Sequence, residues 1–142
     1  MNHEMRAQRG FTLVELMIVI AIVAILGSLA MGSYRRYMLR ANRVDATSAL
    51  LQVQVAQEKF FLQNRRYGST AADLTSAPPA GLGFVSATTD GGNYTLALAP
   101  TATGYTVTAT AVAAQAQDTT CPSFTLNEQG TRTPVTASGC WR

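Results

Sequence analysis

From Phe11 to Ala30 the chain runs for 20 residues with one charged side chain, Glu15. As a helix, such a run extends about 30 Å, the hydrocarbon thickness of a bilayer. No proline interrupts the sequence between Phe11 and Ala77, so a helix that starts here can continue well past the apolar run. Glu15 is the anomaly. A carboxylate within lipid costs about 2.5–3.5 kcal/mol at the bilayer centre and less near the interface. It therefore calls for a partner or a route to water.

Two fates are open to this segment. Arg6 and Arg9 precede it and Ser28-Leu29-Ala30 has a small-x-small pattern, as in a secretory signal that is cut off. A retained anchor is the alternative. Glu15 is atypical for the apolar region of a signal, and the helical pattern passes through Ala30 into Tyr34 without a break. Retention accounts for both facts. Orientation is less direct. Arg35, Arg36, Arg40 and Arg43 follow the run, so a count of flanking positive charge alone would leave the C-terminal part in the cytoplasm. The two cysteines, Cys121 and Cys140, argue for export, where such a pair forms one disulfide. In a cytosolic protein they would be two free thiols. A bridge would close a loop of roughly 20 residues, worth about 3 kcal/mol on chain-entropy grounds.

Beyond the anchor, residues 34–67 keep a helical period. Val44, Ser48, Leu51, Val55 and Leu62 line one stripe, and Ala49, Val53, Ala56 and Phe60 line another. Two apolar faces need two partners: one is the chain's own sheet, the other a set of neighbouring helices. A domain of this size cannot surround the helix itself. Tyr34 and Tyr37 suit a membrane edge. The arginine row fits a solvated face, lipid phosphates or acids on neighbours. With a net charge of only +3 and no aromatic side chains interleaved for base stacking, nucleic acid is not expected as a partner.

Residues 68–93 hold Pro78-Pro79, Gly81, Gly83 and Asp90-Gly91-Gly92 and read as a connecting loop with one short helical turn. Alternation then predicts four strands. Tyr94, Leu96 and Leu98 share a face, as do Tyr105, Val107 and Ala109; Phe124 and Leu126 form a third strand, and Thr131 to Val135 a short fourth. Pro134 suits an edge. Trp141 is expected to cap the sheet rather than bind a ligand. The fold class is α+β: a long N-terminal helix, its first half transmembrane and its second half amphipathic, packed on a four-stranded antiparallel sheet. The expected divisions are a leader at 1–10, a membrane helix at 11–33, an amphipathic helix at 34–67, the connector at 68–93 and the sheet region at 94–142.

Gly10-Phe11-Thr12-Leu13-Val14-Glu15 followed by an apolar helix resembles the class III leader of type IV pilins and pseudopilins. The resemblance covers about the first 40 residues and implies cleavage after Gly10 by prepilin peptidase, on the cytoplasmic side. It also implies N-methylation of Phe11 and retention of the apolar run in the inner membrane with a periplasmic C-terminal domain. It further implies that an assembly machine extrudes the chain into a filament of other pilins at the cell surface, where Glu15 meets the N-terminal amine of a neighbouring subunit. Gly32 stands where many major pilins carry proline, which leaves local helix melting open. Tyr105-Thr106-Val107-Thr108-Ala109, Gln117-Asp118 and Gly139-Cys140-Trp141 resemble minor pilins of the pilus more than secretion pseudopilins, many of which lack the cysteine pair.

Catalysis is not expected. His3 is the only histidine and falls in the leader. No triad, histidine metal site or phosphate-binding glycine loop can be assembled, and Asp73, Asp90 and Asp118 are scattered. A loop calcium site at Asp90 would lack alternating ligands. No cofactor is implied.

Overall fold

The computed structural model describes residues 10–135 and 139–141; the expected leader, apart from Gly10, lies outside them. One helix, α1 (Leu13–Asn64), opens the chain. A short helix α2 (Ala71–Thr75) follows, then strands β1 (Tyr94–Pro100), β2 (Tyr105–Ala111), β3 (Ser123–Asn127) and β4 (Arg132–Thr133). A 3-10 helix at Ala113–Gln117 lies between β2 and β3. The chain divides into two compact units, one ending at Tyr37 and one beginning at Met38.

In the second unit, α1 buries Ala46, Leu50, Val53, Gln57 and Phe60. Their spacing of three and four residues is that of one helical face. Of the two expected apolar stripes it takes in that of Ala49, Val53, Ala56 and Phe60, with Ala49 buried and Ala56 half-buried, and it runs through a polar residue. The Gln57 amide solves this by pairing with one peptide group: Nε2 donates to Gly68 O and Gly68 N–H donates to Oε1, both at 2.8 Å. The helix ends where Arg65 turns left-handed at φ 57°, and Asn64 Nδ2 donates to Phe60 O and Pro79 O.

The sheet is an antiparallel meander in the order β1-β2-β3-β4. Tyr94, Leu96, Tyr105, Val107, Ala109, Phe124 and Leu126 are buried with the helix residues in a single core. Trp141 stands edge-on to Phe124, with centroids 5.6 Å apart, and its indole N–H donates to Thr133 O at 3.1 Å. It caps the end of the sheet as expected. The fourth strand is shorter than the expected Thr131 to Val135, because Pro134 has no N–H with which to continue the ladder.

The connector is better ordered than its composition suggests. Thr70 and Asp73 form a reciprocal capping box on α2. Leu82 N–H donates to Asp73 O, and Phe84 N–H to Leu74 O. A Cβ at Gly81 would lie 2.5 Å from Ser76 O, so only glycine permits that close approach.

Asp73 accepts from Arg66 and from the N–H groups of Ser69 and Thr70. The bond from Arg66, with these amides, lowers its pKa to about 2 against the desolvation that opposes it. A depressed folded-state pKa means that this stabilisation is complete above the unfolded value of about 4 and is lost as pH falls through the folded one. Thermal unfolding should therefore show stability declining from about pH 4 to about pH 2. Asp73→Asn should lower the melting temperature at neutral pH and flatten that decline.

Candidate assembly site

Gly10 and Phe11 stand just ahead of α1, and both are exposed, Phe11 at 85%. Thr12 starts the helix: its Oγ1 accepts from Glu15 N–H at 3.2 Å, satisfying a donor that the first turn leaves free. The threonine thus has a local role that the sequence reading did not assign. Glu15 lies in the first turn, where a negative charge is favoured by the helix dipole. Every residue from Gly10 to Met38 is exposed. Leu13, Val14, Leu16, Met17, Ile18 and their successors form an apolar surface that their own unit does not cover. Ser28 Oγ donates to Ile25 O at 2.7 Å, so this hydroxyl needs no water. The helix passes unbroken through Gly27 and Gly32, and a Cβ at either would meet nothing within 4 Å. α1 is long and apolar enough to cross a membrane.

The outward stripe on the second part of α1 is also open. Val44, Leu51, Val55 and Leu62 are exposed, the last two at 57% and 75%. Beside it an open groove of about 510 Å³ runs between α1 and the connector, lined by Leu51, Val55, Phe60, Pro78 and Leu82 with Lys59 among them.

The arginine row divides. Arg35, Arg36 and Arg40 are exposed, but Arg43 is committed within the fold. Its Nε and Nη2 donate to the two Asp118 carboxylate oxygens at 2.6 and 2.8 Å. Burial alone would raise the Asp118 pKa; the Arg43 contact and the Cys121 and Thr120 amides outweigh it, and the carboxyl sits below its usual range. Hydrogen bonding to Asp118 likewise raises Arg43 against the effect of burial. Arg43 is therefore not part of a free basic patch. The separation of 75 residues between the partners hid the pair from a local reading.

Cys121 and Cys140 form the expected disulfide, with Cα atoms 5.8 Å apart. Cys121 lies just ahead of β3. Sequence reasoning also passed over two helix contacts. Gln115 donates to Leu39 O and Tyr94 Oη and accepts from Asn42. Asp45 accepts from Thr89, Gly91 and Asn93 and so fixes the Asp90 loop. Among the described residues no group of three or more His, Cys, Asp or Glu side chains could hold a metal ion.

Comparison with known proteins decides the family. A profile described as the prokaryotic N-terminal methylation motif matches residues 5–31, across the Gly10–Glu15 segment. A second, described as "Type IV minor pilin ComP, DNA uptake sequence receptor", matches residues 32–125, about two thirds of the chain. The chain belongs to the type IV pilin family. This pilin is 38% identical over 73 residues to the type IV major pilin protein PilA of Myxococcus xanthus, a match covering 51% of this chain and 33% of PilA. It is 38% identical over 79 residues to the type II secretion system core protein G of Klebsiella pneumoniae, covering 54% of this chain and 56% of that protein. A type IV pilin from Shewanella oneidensis shares the fold, with a TM-score of 0.52 and 24% identity over 73% of this chain and 98% of that one. The matched regions span about a third to just over half the length of these curated relatives.

Removal of the disulfide by Cys121→Ser with Cys140→Ser should cost this pilin about 2–5 kcal/mol. Denaturant unfolding of the double variant against the oxidised chain measures it.

Proposed function

We propose that this pilin is a structural, non-catalytic minor subunit of a type IV pilus. Prepilin peptidase cuts after Gly10, Phe11 becomes the methylated N-terminus, and α1 holds the subunit in the inner membrane with the second unit in the periplasm. Assembly machinery then moves it into the fibre, where its role supports motility, adhesion or DNA uptake. The observation that carries this reading is the uncovered apolar surface from Phe11 through Met31, joined by a second open stripe at Val44, Leu51, Val55 and Leu62. Lipid can cover the first. The second belongs to a unit with its own sheet, and neighbouring α1 helices would cover both.

Glu15 gives the exchange its register. A lone carboxylate among apolar helices is costly, and a neighbour's N-terminal amine offers the matching charge. The amine of Phe11 does not exist until the leader is cut.

Two other readings have specific support. The match to core protein G favours a pseudopilin of a secretion system. In a deletion strain, loss of twitching with intact protein secretion favours the pilus; the reverse favours secretion. A filament-borne DNA receptor rests on the description of the matched profile. Against it, residues 38–142 carry seven basic and six acidic side chains, which supplies little general attraction for phosphates.

Filaments sheared from cells should contain the wild-type subunit. Glu15→Ala should reduce its incorporation while leaving its level in the membrane unchanged. Leu51→Asp with Val55→Asp should also reduce incorporation, without altering the melting temperature of the second unit. Normal incorporation of both variants contradicts the filament reading.

A further inference from the structure

The two half-cystines are held by different parts of the fold. Cys121 donates its N–H to Asp118 Oδ1 at 3.3 Å. That carboxylate is gripped from α1 by the guanidinium fork of Arg43, at 2.6 and 2.8 Å. The pair is nearly shut off from water, with side chains 13% and 4% exposed. Cys140 arrives from the other side with its neighbour Trp141, which is seated on Phe124 and bonded to Thr133 O; Arg132 stacks over the indole. Neither arrangement is made by the disulfide itself.

We infer that Arg43 and Asp118 are positioning residues for closure of the Cys121–Cys140 bond. They hold Cys121 where the tail presents Cys140, so docking of α1 and oxidation of the thiols become one coupled event. The reaction is thiol–disulfide exchange with an external disulfide oxidant such as oxidised glutathione. One cysteine thiolate attacks the oxidant, forming a mixed disulfide and releasing one oxidant thiolate. The second cysteine, as thiolate, attacks the protein sulfur of that mixed bond and releases the other oxidant thiolate. The protein dithiol loses two electrons and two protons, and the oxidant's disulfide becomes two thiols.

The fold controls the second, intramolecular step. Its effective concentration reflects how often the two cysteines are already adjacent. Coupling is reciprocal: the factor by which the ion pair favours the disulfide is the factor by which the disulfide favours the ion pair. Charged hydrogen bonds of this kind correspond to roughly ten- to a hundredfold in an equilibrium constant. Arginine matters here for its fork as well as its charge.

The test uses the full chain in detergent micelles, equilibrated in glutathione buffers of graded ratio. Alkylation of free thiols followed by mass measurement reads the oxidised fraction and hence the effective concentration. Arg43→Gln should lower it by about ten- to a hundredfold, and Arg43→Lys should recover part of the loss. Two controls act away from the cysteines: Arg66→Gln, which breaks the pair with Asp73, and Leu74→Val, which trims the core. Both should leave the effective concentration within about twofold. An unchanged value in Arg43→Gln overturns the inference. So does an equal fall in Leu74→Val, which would mean that any loss of stability acts alike. If Arg43→Gln does not fold, Asp118→Asn carries the test: its amide oxygen can still accept from Cys121, a fall supports the inference and an unchanged value overturns it.

Discussion

The apolar surface of residues 11–31 is the constraint on which the rest depends, because its own unit leaves it exposed. Fully burying one Val, Leu, Ile or Met side chain is worth about 1.5–3 kcal/mol. A run of such residues therefore commits the molecule to lipid or to other helices. Lipid tails are as apolar as leucine, so moving from membrane to filament changes little in the hydrophobic term. What directs the exchange must then be the features that lipid and protein treat differently. Glu15 is one: in the proposed assembly its charge would meet the N-terminal amine of a neighbouring subunit. Gly27 and Gly32 are others: with nothing near a notional Cβ, they leave room for a neighbouring backbone to approach.

The second unit solves a different problem. It fixes the later part of α1 on a small sheet while leaving one helical face open. Hydrophobic stripes set which face turns inward, but such contacts are non-directional. Direction comes from polar contacts that reach α1 from distant points in the chain. Arg43 meets Asp118, Asn42 meets Gln115, Asp45 meets the Thr89–Asn93 loop, and Gln57 meets Gly68. Together with the disulfide they tie the connector, the β2–β3 connection and the tail to one helix. The Gln57 bonds to Gly68 are buried, where an unmade bond is costly, and the other three contacts are at least partly so.

Features with a local signature were legible in the sequence. The period of Ala49, Val53 and Phe60 marked one of two apolar sides of α1, and burial shows it to be the inward one; alternation in Tyr94 to Leu98 and Tyr105 to Ala109 marked two strands with their inward faces. Two lone cysteines implied their bridge. Gly10 to Glu15 carried the family. What stayed hidden depends on tertiary partners. Gln57 and Gln115 look like surface residues until their amides find Gly68 and Tyr94. Arg43 looks like its neighbours Arg35, Arg36 and Arg40 until Asp118 is placed beside it. The capping box at Thr70 and Asp73 and the Thr12 cap had readable local patterns, and both were masked by stronger signals around them.

The central claim is that the apolar run stays on the mature chain and begins at Phe11. Mass analysis of the N-terminus of the protein isolated from membranes or filaments tests it directly. The account predicts a chain that starts at Phe11 and carries a methyl group on its amine. A chain starting at Met31 would contradict it, because the uncovered surface and Glu15 would then both have been discarded.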